Sequence, residues 1–215
     1  MNEFASFQNI RNVYCVGRNY RLHAAEMGNE VPTSPMLFTK PTHAVVPLDG
    51  RPVLLPGAFG SVHYEAELVL LIGKAYEPGM KADDLIVGFT VGLDLTLRDV
   101  QDKLKAKGQP WLAAKGFRSS APIGRWMAFP GEAALSEADF GLRINGREAQ
   151  RGNVRDMVFG LQQLVEFTGK HYGLGPGDVL FTGTPQGVGA LQDGDMLEVR
   201  WNEESVGTAT IKLEA

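Results

Sequence analysis

The chain of 215 residues has a single cysteine, Cys15. No intrachain disulfide can form, and such sparing use of cysteine fits a reducing compartment, so the cytoplasm is the expected location. Cys15 lies in Val13-Tyr14-Cys15-Val16, an apolar strand pattern in which it reads as a small buried hydrophobe. No run of about 18 apolar residues occurs, so no membrane-spanning helix is expected. Met1 to Arg11 lacks the basic region and apolar stretch of a secretory signal. Positive charge is not in excess either: 21 Lys and Arg face 25 Asp and Glu, a net charge of -4. That balance argues against a nucleic-acid binder, whose footprint is a basic patch. It leaves room for a small anionic ligand held by a few local cations.

What the chain does have is enough apolar residue content, 44%, to bury a sizeable core. Its 26 glycines and 12 prolines are spread throughout and punctuate short segments. That pattern suits a strand-rich α+β fold with tight turns and a few short helices. Strands are expected at Asn12–Val16, Met36–Thr39, Val53–Leu55, Glu65–Gly73, Ile86–Leu95, Gly141–Ile144, Asp178–Thr182 and Met196–Trp201. Asn145-Gly146 is a two-residue hairpin signal. Helices are expected from about Tyr20 to Met27, with Asn19 as N-cap and Gly28 as stop, from about Leu97 to Lys107, and from about Met157 to Thr168 before Gly169. Leu174-Gly175-Pro176-Gly177-Asp178-Val179 and Leu191-Gln192-Asp193-Gly194-Asp195-Met196 echo each other as turns feeding strands. No linker or low-complexity stretch divides the sequence, so residues 1–215 read as one domain.

The most informative stretch is His63-Tyr64-Glu65-Ala66-Glu67, followed by Leu68-Val69-Leu70-Leu71-Ile72. In a strand, His63, Glu65 and Glu67 point to one side. Two carboxylates beside a buried strand repel each other and lose hydration unless a positive charge sits between them. A divalent cation is the simplest candidate. From Val87 to Leu95 the pattern alternates, with Val87, Phe89, Val91, Leu93 and Leu95 on an apolar face. Gly88, Thr90, Gly92 and Asp94 form the other face, expected to line a cavity, and Asp94 at its end completes a set with Glu65 and Glu67. Taken alone, the same residues also describe half-buried strands with solvent-facing acids.

Further candidates flank this set. His23 and Glu26 stand three apart on the first helix, close enough for the carboxylate to orient the imidazole as a general base. Before them, Gly17-Arg18-Asn19-Tyr20 is a turn with a positive charge, and turn and helix together suit a movable lid. Arg98 and Gln101 share a face at the start of the second helix, and Arg suits capture of a carboxylate. Lys115, in Trp111-Leu112-Ala113-Ala114-Lys115-Gly116-Phe117, either reaches solvent or sits near an acid, where it would stabilise an enolate. Thr182-Gly183-Thr184-Pro185-Gln186-Gly187-Val188-Gly189 lacks the lysine of a phosphate-binding loop. Its N–H groups and the Thr184 hydroxyl suit a ligand carboxylate.

Together, His63 to Glu67, Leu93 to Gln101, Lys115, Thr182 to Gly189 and the Gly17 to Tyr20 turn with His23 and Glu26 resemble the fumarylacetoacetate hydrolase family. The resemblance is to its small acylpyruvase and oxaloacetate decarboxylase branch and covers nearly the whole chain. It implies a mixed β-roll or barrel-like fold, Mg²⁺ or Mn²⁺ and a homodimer. It implies Glu65, Glu67 and Asp94 as metal ligands, His23 with Glu26 as the lid dyad activating water, and Lys115 at the developing negative charge. Arg18, Arg98, Gln101 and Thr184 become substrate contacts. Gly116 departs from the Ala or Ser expected after the lysine. The reading that follows is hydrolysis of the C3–C4 bond of 2,4-dioxo acids such as acetylpyruvate or fumarylpyruvate. Oxaloacetate decarboxylation and keto–enol tautomerisation need the same metal-held enolate and remain alternatives, with a non-catalytic metal-stabilised binding module as a further one.

Overall fold

The apolar run Leu68–Ile72 lies in the strand Ala66–Ile72, every residue of which is buried. The computed structural model describes residues 9–28 and 30–214. The strand sits inside an eight-stranded sheet. From one edge the order is Met36–Lys40, Val13–Gly17, Val179–Phe181, Ala66–Ile72, Ile86–Leu93, Ala121–Ile123 and Val45–Pro47, with Met127–Ala128 added against Ile86–Leu93. A five-stranded sheet runs in the order Arg147–Gly152, Phe140–Ile144, Met196–Trp201, Glu204–Leu213 and Val53–Leu55. A third sheet joins Gly189–Ala190, Val62–Tyr64 and Thr96–Leu97. Among the described residues the α-helices are six short segments.

Both faces of the large sheet are covered, so its central strands lack the polar alternation of a half-solvated sheet. On one side Leu68, Leu70, Phe89, Val91 and Leu93 join the larger core, which extends to Leu142, Leu197 and Val199 of the second sheet. On the other, Val13, Cys15, Val69, Leu71, Ile123 and Phe181 form a second cluster. This corrects the expectation for residues 87 to 95. A Cβ at Gly92 would meet Ile123, Val69 and Phe181 side chains, so the small-residue face packs on the second core there, and it is Asp94 at its end that reaches a cavity. Val87 is exposed.

The turn chemistry follows the sequence closely. Asn145 and Gly146 both take positive φ and close the hairpin between Phe140–Ile144 and Arg147–Gly152. In the two echoing turns, Asp178 Oδ2 accepts the Gly175 N–H and Asp195 Oδ2 the Gln192 N–H, each at 2.8 Å. Two helix boundaries differ from expectation. Tyr20, not Asn19, precedes the helix Arg21–Glu26, and Asn19 is buried instead, bonded to Phe159 and Thr182 backbone. The last helix is Leu161–Tyr172, so Gly169 lies inside it, where the Tyr76 ring leaves no room for a Cβ.

Candidate active site

Strand register builds the site. In the antiparallel pair, Ala66 faces Leu93 and Glu67 faces Gly92, so the start of one strand meets the end of the other. Glu65 immediately precedes its strand and Asp94 immediately follows the other; the Asp94 N–H donates to the Glu65 carbonyl at 2.8 Å. Glu65, Glu67 and Asp94 thereby converge: all are buried, and one ligand oxygen from each lies within 4.8 Å of the others. His63 does not join them. It pairs across to Thr96 and Ala190 in the small sheet.

Cations balance these acids unevenly. Lys115 Nζ, at the end of the short helix Leu112–Lys115, lies 2.7 Å from Glu65 Oε2 and 2.6 Å from Asp94 Oδ2. Arg98 binds Glu65 Oε1 and donates to Gln101 Oε1 at 2.7 Å. Burial alone would raise the Glu65 carboxyl, but the Lys115 and Arg98 charges outweigh it and hold the group below the ordinary carboxylate range. Burial alone would lower the Lys115 ammonium, yet Asp94 and Glu65 raise it above its usual value. Among the described residues no lysine or arginine pairs with Glu67. Burial, then Asp94 and Glu65, push its carboxyl well above the usual range, and it accepts the Gly183 N–H at 2.8 Å. Gly183 delivers that N–H from positive φ, where a Cβ would strike Asn19.

Two observations fit a divalent cation to this donor set. Glu67 is a buried carboxylate with no ion-pair partner among the described residues, and an oxygen of it lies within 4.8 Å of oxygens from the equally buried Glu65 and Asp94. Hard cations take such oxygens.

The other expected residues gather round the same cavity, which is lined by Arg18, His23, Glu65, Glu67, Asp94, Arg98, Gln101, Lys115 and Thr184. His23 is buried and its Nδ1 lies 3.3 Å from Glu26 Oε2. Glu26 also accepts the Gly187 N–H at 3.1 Å, docking the short helix on the glycine-rich loop. Arg18 holds φ +58, a left-handed conformation costly for arginine. The Thr184 hydroxyl donates to the Ala66 carbonyl at 2.8 Å and accepts from Gln150 at 2.9 Å. It therefore offers the cavity a lone pair rather than a proton unless it rotates.

Several residues at this site were not legible in the sequence. Lys40 Nζ is buried 2.8 Å from Asp94 Oδ1, and it donates to the Leu95 carbonyl and Ser120 Oγ, each at 3.1 Å, and to the Lys115 carbonyl. Met27, Met36, Phe38, Lys105 and Trp111 complete the cavity wall. The available signal was period two: Met36, Phe38 and Lys40 share one face of their strand.

A model of the fumarylacetoacetate hydrolase C-terminal domain matches residues 12–213. An oxaloacetate tautomerase of Escherichia coli K12, YcgM, is 41% identical over 207 residues, covering 94% of this chain and 93% of that protein. The mitochondrial oxaloacetate tautomerase FAHD1 of Homo sapiens is 37% identical over 190 residues, covering 87% and 86% respectively. The crystal structure of fumarylpyruvate hydrolase from Pseudomonas aeruginosa, in complex with Mn²⁺ and pyruvate, is similar at a TM-score of 0.87 and 36% identity, covering 95% of this chain and 91% of that one.

Proposed function

This chain belongs to the fumarylacetoacetate hydrolase family, and from that membership we propose a divalent-metal-dependent enzyme that enolises small 2-oxo acids, with oxaloacetate tautomerisation as its leading reaction. One observation carries the reading: a single cavity is lined by the three converging carboxylates, the Lys115 ammonium and His23, whose ring Glu26 contacts from behind. The order of preference differs from the one the sequence suggested, because relatives named oxaloacetate tautomerase match nearly the whole chain.

In this proposal Glu65, Glu67 and Asp94 hold Mg²⁺ or Mn²⁺, which supplies Lewis-acid polarisation of the 2-oxo group. The protein residues do the rest. Arg98 and Gln101 orient the substrate's first carboxylate, and Arg18 adds positive charge at the mouth. Glu26 selects the His23 tautomer protonated on Nδ1, leaving Nε2 to take a proton from C3. Lys115 donates a hydrogen bond to the oxygen that becomes negative as the enolate forms. Return of the proton to oxygen or carbon completes tautomerisation. Thr184 and Gln150 fix the loop beside the substrate.

C3–C4 hydrolysis of acylpyruvates is the second reading. It is favoured by the likeness to a fumarylpyruvate hydrolase structure and by the same histidine, which would deprotonate an attacking water. Loss of CO₂ from oxaloacetate gives the pyruvate enolate without a base. We place the whole site in one catalytic domain and propose a homodimer, checked by light scattering.

The test is enol-to-keto conversion of oxaloacetate followed by ultraviolet absorbance with Mg²⁺, beside an acetylpyruvate and fumarylpyruvate panel. Metal-dependent tautomerisation faster than cleavage of either dioxo acid supports the leading reading. Cleavage dominating reverses the order, and no metal-dependent turnover of any oxo acid removes the enzyme assignment.

A further inference from the structure

The helix Arg98–Ala106 presents a stripe to the cavity. Arg98, Gln101 and Lys105 stand at i, i+3 and i+7, on one face, and all three line the wall. The first two sit over the carboxylate cluster. Lys105 lies two turns further, about 10 Å along the axis at 1.5 Å per residue. Helical side chains lean towards the N-terminus, so its ammonium reaches back over the cavity.

Lys105 differs from the three cations that neutralise the carboxylate cluster. Lys40, Lys115 and Arg98 each hold a carboxylate. Among the described residues, no carboxylate oxygen pairs with Lys105 Nζ, which instead sits over the Trp111 ring, 5.5 Å from its centroid. The side chain is half-buried; burial, then the nearby Arg98 charge, lower its ammonium from the usual value, with Asp102 pulling the other way and Arg18 adding to the drop. A partly desolvated cation beside like charges, with no carboxylate in direct contact among the described residues, is incompletely compensated by its own protein. From it an apolar wall leads to the carboxylate cluster: the Trp111 ring lies 5.8 Å from the Phe38 ring, which lies 5.1 Å from Lys115 Nζ. The cavity thus offers an anion site at each end with an apolar span between.

We propose that Lys105 is a specificity-determining residue that binds a second, distal carboxylate of the substrate, so that the site selects dicarboxylic oxo acids over monocarboxylic ones. The inference rests on the oxo-acid reading of the cavity. Arg18 lines the same cavity and its charge acts on Lys105, so it adds to the same positive end.

Two unreactive acids isolate the effect. 2-Oxoglutarate and 2-oxopentanoate share a 2-oxo carboxylate head and chain length and differ in the terminal group, carboxylate against methyl. Calorimetric titration of the Mg²⁺-loaded protein should show 2-oxoglutarate bound at least about tenfold tighter, the scale of one charge-assisted hydrogen bond. Lys105→Met should erase that preference while 2-oxopentanoate binding changes less than twofold, and Lys105→Arg should keep most of it. Equal wild-type binding of the two acids, or a preference that survives in Lys105→Met, overturns the proposal while oxaloacetate turnover still stands. If neither acid binds and oxaloacetate is not turned over, the oxo-acid reading falls and takes this one with it.

Discussion

Lys40 Nζ lies 2.8 Å from Asp94 Oδ1, with both side chains buried. The same ammonium bonds the Leu95, Ser120 and Lys115 positions, so one lysine ties a carboxylate of the proposed metal site to the turn that carries the site's other buried lysine. Replacing one partner of a buried pair strands the other's charge and carbonyls. Lys40→Met should therefore destabilise the metal-free protein by about 3 kcal/mol, lowering its melting temperature by roughly 6–12 °C. Thermal unfolding in EDTA checks this. An unchanged midpoint would show that Lys115 alone compensates Asp94.

That lysine also marks where sequence reading stopped. Glu65, Glu67 and Asp94 were legible because each adjoins a long apolar strand, and antiparallel register does the rest. Asn145-Gly146 was legible because its backbone demand is local. Lys40, before Pro41 at a strand end, looks like an ordinary edge lysine; its burial depends on Asp94, more than fifty residues away. The strand Glu204–Leu213 was missed because its buried residues, Val206, Ala209 and Ile211, break period two. The last helix was placed too early because Val158 shares its apolar spacing, while Met157 in fact bridges Tyr20. In each miss a distant contact overrides local pattern.

Chelation should remove activity. EDTA followed by desalting is expected to abolish oxaloacetate tautomerisation, and Mg²⁺ or Mn²⁺ to restore it. Full activity in protein shown by elemental analysis to be metal-free would end the metal proposal.

Glu67 gives a sign that can be measured. Its carboxyl is raised in the folded chain by burial, then by Asp94 and Glu65. A raised carboxyl stabilises the fold fully below its unfolded value, and that contribution is lost as pH rises through the folded one. Glu65 runs the other way: its depressed carboxyl contributes above the unfolded value and is lost only as pH falls. Glu67→Gln should therefore raise the metal-free melting temperature at pH 7.5 and flatten its decline between pH 5 and 7.5, by about 1–3 kcal/mol, the cost of an ill-partnered buried polar group. The same variant should lose the stabilisation that Mg²⁺ gives the wild type. A metal-free melting temperature lower than wild type at pH 7.5 would mean that Glu67 is already well compensated.

Arg98 holds Glu65 and Gln101 as well as facing the cavity. Arg98→Ala should raise KM for oxaloacetate by roughly tenfold or more, the scale of a lost charge-assisted bond. It should also weaken Mg²⁺ binding, because Glu65 loses an orienting partner. Titrating metal and substrate separately distinguishes the two effects, and an unchanged KM at saturating metal would place Arg98 outside substrate recognition.

The His23–Glu26 pair separates three reactions that each pass through an enolate. Tautomerisation needs a proton moved at C3, and hydrolysis needs a base to generate the attacking water. Decarboxylation needs neither, since CO₂ leaves as the enolate forms. A positioned base contributes about 10²–10⁴-fold, so His23→Ala should slow tautomerisation and acylpyruvate cleavage by at least roughly 10²-fold and metal-dependent decarboxylation much less. Glu26 acts twice, on His23 and on the Gly187 N–H. Glu26→Gln keeps an oxygen for Gly187 while removing the charge that supports the imidazole; Glu26→Ala removes both. If basicity is the role, the two variants lose tautomerisation alike and Glu26→Gln keeps the wild-type resistance of the Arg21–Glu26 helix to hydrogen exchange. If docking is the role, Glu26→Gln stays active and Glu26→Ala loses all three reactions together. Undiminished tautomerisation and cleavage in His23→Ala would make the pair a structural contact and return the proton transfer to another group.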